Sequence, residues 1–134
     1  MTGVSKLKLG AAGALALLTV AAAPPAKPKA LAVTRPGLWE ISGQPGAAPR
    51  RICVRDLATL AQIEQRRAQC TRVVVRDLPT KAEIHYTCTG GGFGQSTIEP
   101  ITPRSLRVET QGIAASAPFH YVFQARRVGE CPFH

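Results

Sequence analysis

Residues 36–43 alternate, with Trp39 and Ile41 on one side and Leu38 and Glu40 on the other, which predicts a half-buried strand. GQPGAAP, residues 43–49, then turns on its Gly and Pro, and RRICV, residues 50–54, predicts a second short strand. Asp56 is placed to cap a helix running to about Gln69, with Leu57, Leu60, Ala61 and Ile63 on its apolar side. Arg66 and Arg67 fall in its last turn, where the helix dipole favours cations.

From Thr71 the pattern is that of strands. TRVVVRDL and AEIHYTC flank the turn PTK. A two-residue loop sets Val75 opposite Ile84, Val73 opposite Tyr86 and Arg76 opposite Glu83, with apolar residues on one face and a charge pair on the other. GQSTIEP follows a glycine run, then SLRVETQG with Leu106 and Val108 inward. PFHYVFQARRV puts Phe119, Tyr121 and Phe123 on one face. The expectation is a mainly β, α+β fold. It is a curved antiparallel meander of about seven strands, closed at most into a partial barrel, with one helix near residues 56–69.

The first 32 residues read as targeting. Lys6 and Lys8 precede an uninterrupted apolar run from Leu9 to Ala23, which is shorter than the ~18 residues that argue a membrane-spanning helix. Small residues offer a cut after Ala22 or Ala23, and Ala30 and Ala32 offer a second before Val33. Residues 33–134 then form one domain, with no integral membrane segment after cleavage. A retained membrane anchor is the alternative. Removing residues 1–32 takes four lysines and no acids, so the net charge falls from +9 to +5. The remaining cations are mostly arginines, in the groups Arg50, Arg51, Arg55; Arg66, Arg67; and Arg126, Arg127. Such a surface suits an anionic envelope component, or simply keeps a domain soluble. Nucleic acid is the weakest partner, since no DNA- or RNA-binding pattern occurs.

Cys53, Cys70, Cys88 and Cys131 lie in the mature region, and an even count in a small exported chain predicts two disulfides. No C-x-x-C pair supports a zinc site. In a meander Cys70 begins one strand and Cys88 ends the next, so they share one end of the sheet. Counting strands places Cys131 at the other end. A 14-residue helix of about 21 Å carries the chain back from that end, where Cys53 precedes it. Cys70–Cys88 and Cys53–Cys131 are therefore the expected pairs. The hairpin register above leaves Cys70 opposite Thr89, so this pairing requires a bulge or bend at Cys70. The competing pairing is Cys53–Cys70 with Cys88–Cys131.

RPGLWE after a signal-like segment, the cysteine of RICV, Cys70, YTCTGGGFG and a closing RRVGEC together resemble one known family. It comprises small exported proteobacterial proteins labelled only as a domain of unknown function and typified by an N-terminal PGLWE. The resemblance covers about residues 35–131 and implies a periplasmic or secreted single-domain protein with paired cysteines. It implies no activity. Many such relatives are Met-rich after the PGLWE strand, whereas Met1 is the only methionine here, so no metal-handling role carries over.

Candidate chemistry is sparse. TGGGFGQ lies between two strands and lacks the Lys-Ser/Thr of a phosphate loop, so it predicts a hairpin or bulge. His85 with Glu83, and His120 with Glu109 across the last hairpin, are possible acid–base pairs on the face away from the apolar residues. Alternating polar residues on an exposed sheet face produce such pairs by chance. No G-x-S-x-G or H-E-x-x-H occurs. Trp39, Tyr86, Phe119, Tyr121 and Phe123 would line a pocket for an apolar small molecule or, equally, fill the core. The expected function is a non-catalytic exported domain with a binding or envelope-associated structural role, needing no cofactor and no metal. The alternative is a small enzyme using His85 or His120 with its carboxylate.

Overall fold

The computed structural model describes residues 2–3, 10–20 and 27–132. The Ala22/Ala23 cleavage position and most of the basic start therefore lie outside the described residues. Residues 10–20 are exposed and belong to no helix or strand.

Seven strands, β1 (Gly37–Ser42), β2 (Arg50–Val54), β3 (Cys70–Leu78), β4 (Lys81–Cys88), β5 (Phe93–Thr102), β6 (Ser105–Ala114) and β7 (Ala117–Gly129), form one antiparallel sheet. The order is β2-β1-β7-β6-β5-β4-β3. Strands β3 to β7 are the meander that short connections favour, and the β1–β2 hairpin joins its far side through β1 and β7. The sheet does not close into a barrel, because β2 and β3 are its two edges.

Period-two patterning explains the buried face. Trp39, Ile41, Ile84, Ile98, Leu106, Val108, Phe123 and Ala125 all point to one core. The indole N–H of Trp39 donates to the Arg35 carbonyl at 3.1 Å, so its one polar atom is satisfied by the strand's own lead-in. Gly37 belongs there for space. A Cβ would stand 2.6 Å from the Gly129 carbonyl oxygen and 2.7 Å from Arg127, whose guanidinium donates to the Pro36 carbonyl at 3.1 Å.

The connection from β2 to β3 packs against β4, β5 and β6 on the buried face. It is a 3₁₀ segment, Leu57–Gln65, instead of an α-helix reaching Gln69. Leu57, Leu60 and Ile63 are spaced by three, so three residues per turn align them on one side. Asp56 does cap it, accepting from the Ala58 amide at 3.0 Å. Gln62 breaks the run with φ −109° and ψ 34°. Its buried side chain donates to the Gln65 and Ala68 carbonyls and accepts from Arg72 at 2.6 Å. The Ala61 carbonyl takes the Ser96 hydroxyl at 2.5 Å. Partners from the sheet thus serve backbone groups that an α-helix would satisfy internally. At about 2 Å rise per residue the nine residues span nearly as far as the longer α-helix would.

The β3–β4 hairpin departs from the expected register beyond Arg76. Leu78 faces Lys81 across a two-residue turn and Arg76 faces Glu83, but a bulge at Val75 then shifts the pairing by one. Val74 instead of Val75 faces Ile84, and Arg72 instead of Val73 faces Tyr86. The bulge turns Arg72 toward the 3₁₀ segment, where it bonds Gln62 and, at 2.9 Å, Asp56. Val73 and Val75 are left exposed on the edge strand. It also places Cys70 directly opposite Cys88, so the irregularity that the pairing required sits at Val75, five residues from Cys70.

The disulfides are Cys70–Cys88 and Cys53–Cys131, separated by 18 and 78 residues. By loop entropy they contribute about 3 and about 4.5 kcal/mol. A short 3₁₀ turn, Lys29–Leu31, adds Ala30 and Leu31 to the core against β3, β4 and β5. The Lys29 amide donates to Asp77 Oδ1 at 2.8 Å.

Candidate functional site

The outward face of β4 to β7 carries a straight cross-strand row, His85, Gln95, Gln111 and His120, each opposite the next. Three strand spacings separate the histidines by about 14 Å, too far to share a ligand atom. Each has its own carboxylate: His85 Nε2 lies 3.2 Å from Glu83 and His120 Nε2 lies 3.0 Å from Glu109. Hydrogen bonding to His120 holds the Glu109 carboxyl below its ordinary range, with Arg107 adding to the effect. Both imidazoles border a shallow depression of about 690 Å³ with Phe93, Ile113 and Phe119. Half or more of each imidazole side chain is open to solvent or nearly so, at 48 % and 59 %. No hydroxyl or thiol bonds either ring among the described residues, so the two dyads lack a nucleophile.

The five aromatic positions separate into two sets. Trp39 and Phe123 are wholly buried and fill the core, and Tyr86 is only 2 % exposed. Among the described residues the Tyr86 hydroxyl has no hydrogen-bond partner of ordinary geometry, and burial pushes its pKa up, opposed by the nearby Thr110 hydroxyl. Phe119 and Tyr121 emerge from the core along β7, with ring centroids 6.0 Å apart. They border a groove of about 590 Å³ together with Pro45, Ala47 and Pro118.

Elements distant in the chain fix the polar end of that groove. The Tyr121 hydroxyl donates to Glu64 Oε2 at 2.5 Å and accepts from Gln44 Nε2 at 3.2 Å, while Arg50 Nε donates to Gln44 Oε1 at 3.2 Å. Burial and the bond to Glu64 push the Tyr121 pKa far up, so the phenol stays protonated. Period two alone placed Phe119 and Tyr121 on one face. Nothing local in the chain signalled Glu64, Gln44 or Arg50, which lie 57, 77 and 71 residues from Tyr121.

A third cleft of about 580 Å³ lies between Lys27, Pro28 and Leu31 on one side and Arg55, Asp56 and Arg72 on the other. Arg72 is already paired with Asp56 there. Among the described residues no three His, Cys, Asp or Glu side chains gather to hold a metal ion, and no helix is long and apolar enough to cross a membrane.

No curated protein and no solved structure matches the chain. Residues 34–131 match the family described as "Protein of unknown function (DUF3617)". That span runs from the residue before RPGLWE to Cys131, taking in all seven strands and both disulfides. The chain belongs to the DUF3617 family.

Proposed function

We propose that the protein is an exported, non-catalytic binding domain that takes a small apolar molecule in the groove beside Phe119 and Tyr121. The observation that carries this reading is the pair of aromatic rings leaving the core to border an open groove, with the Tyr121 hydroxyl anchored by Glu64 and Gln44. Apolar walls with a few fixed polar groups at one end are what a small-molecule site needs. Two disulfides suit an oxidising compartment, periplasmic or extracellular. The buried Ala30 and Leu31 support a signal cut at Ala22 or Ala23 over one before Val33, which would remove both from the core.

The test is a fluorescence titration of the disulfide-intact domain with phenylnaphthylamine, a neutral apolar probe. Saturable binding that weakens at least about fivefold in Phe119→Ser is expected, since the substitution strips apolar area from the groove. Absence of saturable binding sinks the reading.

The enzyme alternative has one observation in its favour: each histidine is bonded to a glutamate beside a depression. Among the described residues no hydroxyl or thiol bonds either ring, so its exposed dyads lack a nucleophile. A hydrolytic activity abolished by His120→Ala or His85→Ala would restore it.

A further inference from the structure

At the end of the 3₁₀ segment Arg66 and Arg67 meet Arg50, at the start of β2, around a cleft of about 330 Å³ lined also by Ile63, Glu64 and Ala68. None of the three guanidinium groups has a carboxylate within 4.0 Å among the described residues. Most acidic side chains pair with other cations. Asp77 accepts the Lys29 amide, and Glu64, at the cleft's edge, is bound to Tyr121. The cleft therefore gathers three cations against one committed carboxylate, a surplus of two positive charges. Like charges gathered this way repel, and burial together with Arg50 and Arg67 lowers the Arg66 pKa. An oxyanion removes that repulsion and fits the planar donor forks of several arginines.

The cleft is not isolated. Arg50 and Glu64 line both it and the groove beside Phe119 and Tyr121, so the charged recess adjoins the groove's apolar residues Pro45, Ala47, Pro118 and Phe119. We propose that Arg50, Arg66 and Arg67 bind the phosphate head of a phosphomonoester whose apolar body lies in the groove. The inference rests on the groove reading above. A phosphomonoester carries about −1.5 to −2 charges at pH 7, matching the surplus. A carboxylate supplies only one.

The probes are phenyl phosphate, inorganic phosphate, phenylnaphthylamine and phosphatidylglycerol vesicles, titrated into the disulfide-intact domain by calorimetry or fluorescence. Phenyl phosphate is expected to bind saturably and at least about tenfold tighter than inorganic phosphate. The double substitution Arg66→Gln/Arg67→Gln, and separately Arg50→Gln, should each weaken it about tenfold or more. Phenylnaphthylamine binding and the urea midpoint should hold in Arg66→Gln/Arg67→Gln, whose residues line the cleft and not the groove. Arg76→Gln, on the other side of the sheet, should change nothing. Retention of phenyl phosphate affinity in both arginine variants overturns the proposal. Binding of phenylnaphthylamine without phenyl phosphate also overturns it, while the groove stands. Inorganic phosphate binding as tightly as phenyl phosphate, lost in the arginine variants and with phenylnaphthylamine ignored, keeps the cleft as a phosphate site and removes the groove. Vesicle binding that Arg76→Gln weakens as much as Arg66→Gln/Arg67→Gln, without phenyl phosphate binding, reassigns the cluster to general membrane charge and overturns the proposal.

Discussion

Leu31 offers the sharpest test of where the folded domain begins. It lies upstream of the family-matched span yet is 0 % exposed, packed with its turn against β3, β4 and β5. Leu31→Ala removes three carbon groups from that contact, about 2.4 kcal/mol at ~0.8 kcal/mol each, before any cavity is counted. Buried Leu→Ala changes cost about 2.7–5 kcal/mol when the surroundings cannot collapse. Here the turn precedes β1 and belongs to no strand. If the contact weakens enough, residues 28–34 can lift away and recover chain entropy, which caps the loss. A destabilisation of about 2.5–4 kcal/mol follows, or about 10 °C or more in Tm for a domain of this size.

The assay is urea unfolding of the disulfide-intact domain starting at Pro24, followed by fluorescence of its single tryptophan. Trp39 is fully buried and its emission shifts red on exposure. Val33→Ala is the control: Val33 is 65 % exposed, so its effect should stay within about 0.5 kcal/mol. A Leu31→Ala midpoint indistinguishable from that control would refute the placement of residues 28–34 in the core. An intact mass from a periplasmic extract beginning at Val33 would refute it too.

Tyr86→Phe should raise stability by about 1 kcal/mol, because it deletes a buried hydroxyl that has no hydrogen-bond partner of ordinary geometry among the described residues and leaves the ring in place. A lower urea midpoint would show that the hydroxyl has a partner after all. His120→Ala should return the Glu109 pKa toward its ordinary 4.5, read by NMR titration. In the native protein the depressed folded value means that whatever stability Glu109 contributes is present above the unfolded pKa. It is lost as pH falls through the folded one. Glu130 follows the same sign, held down by its bond to Arg127. An unchanged Glu109 titration in His120→Ala would refute the pairing.

Much of the fold was legible because side-chain alternation is a local signal. Trp39 and Ile41, Leu106 and Val108, and Phe123 reach the core as period two requires. The glycine run also behaves as expected. Gly90 and Gly91, with φ of +96° and +98°, turn β4 into β5 without a phosphate loop. The segment after Asp56 was harder. A spacing of three read as one side of an α-helix, yet Gln62 and Ala61 find partners on Arg72 and Ser96, and these tip the balance to 3₁₀ geometry. The candidate site was legible only in Phe119 and Tyr121.

From the sequence alone came the strand positions, the paired cysteines and the family, all of which depend on local periodicity or on the order of markers along the chain. Only the tertiary structure decided the bulge at Val75, the joining of β1 to β7 and the meeting of Arg50 with Arg66 and Arg67. It also decided which aromatics the core would claim. Each of these is a sum over contacts between segments far apart in the chain. Arg72 gains Gln62 and Asp56 only once the connection has folded across the sheet, and that gain moves the register by one. A bulge costs little in an edge strand whose outer side is open to water, so packing on the inner side determined where it fell.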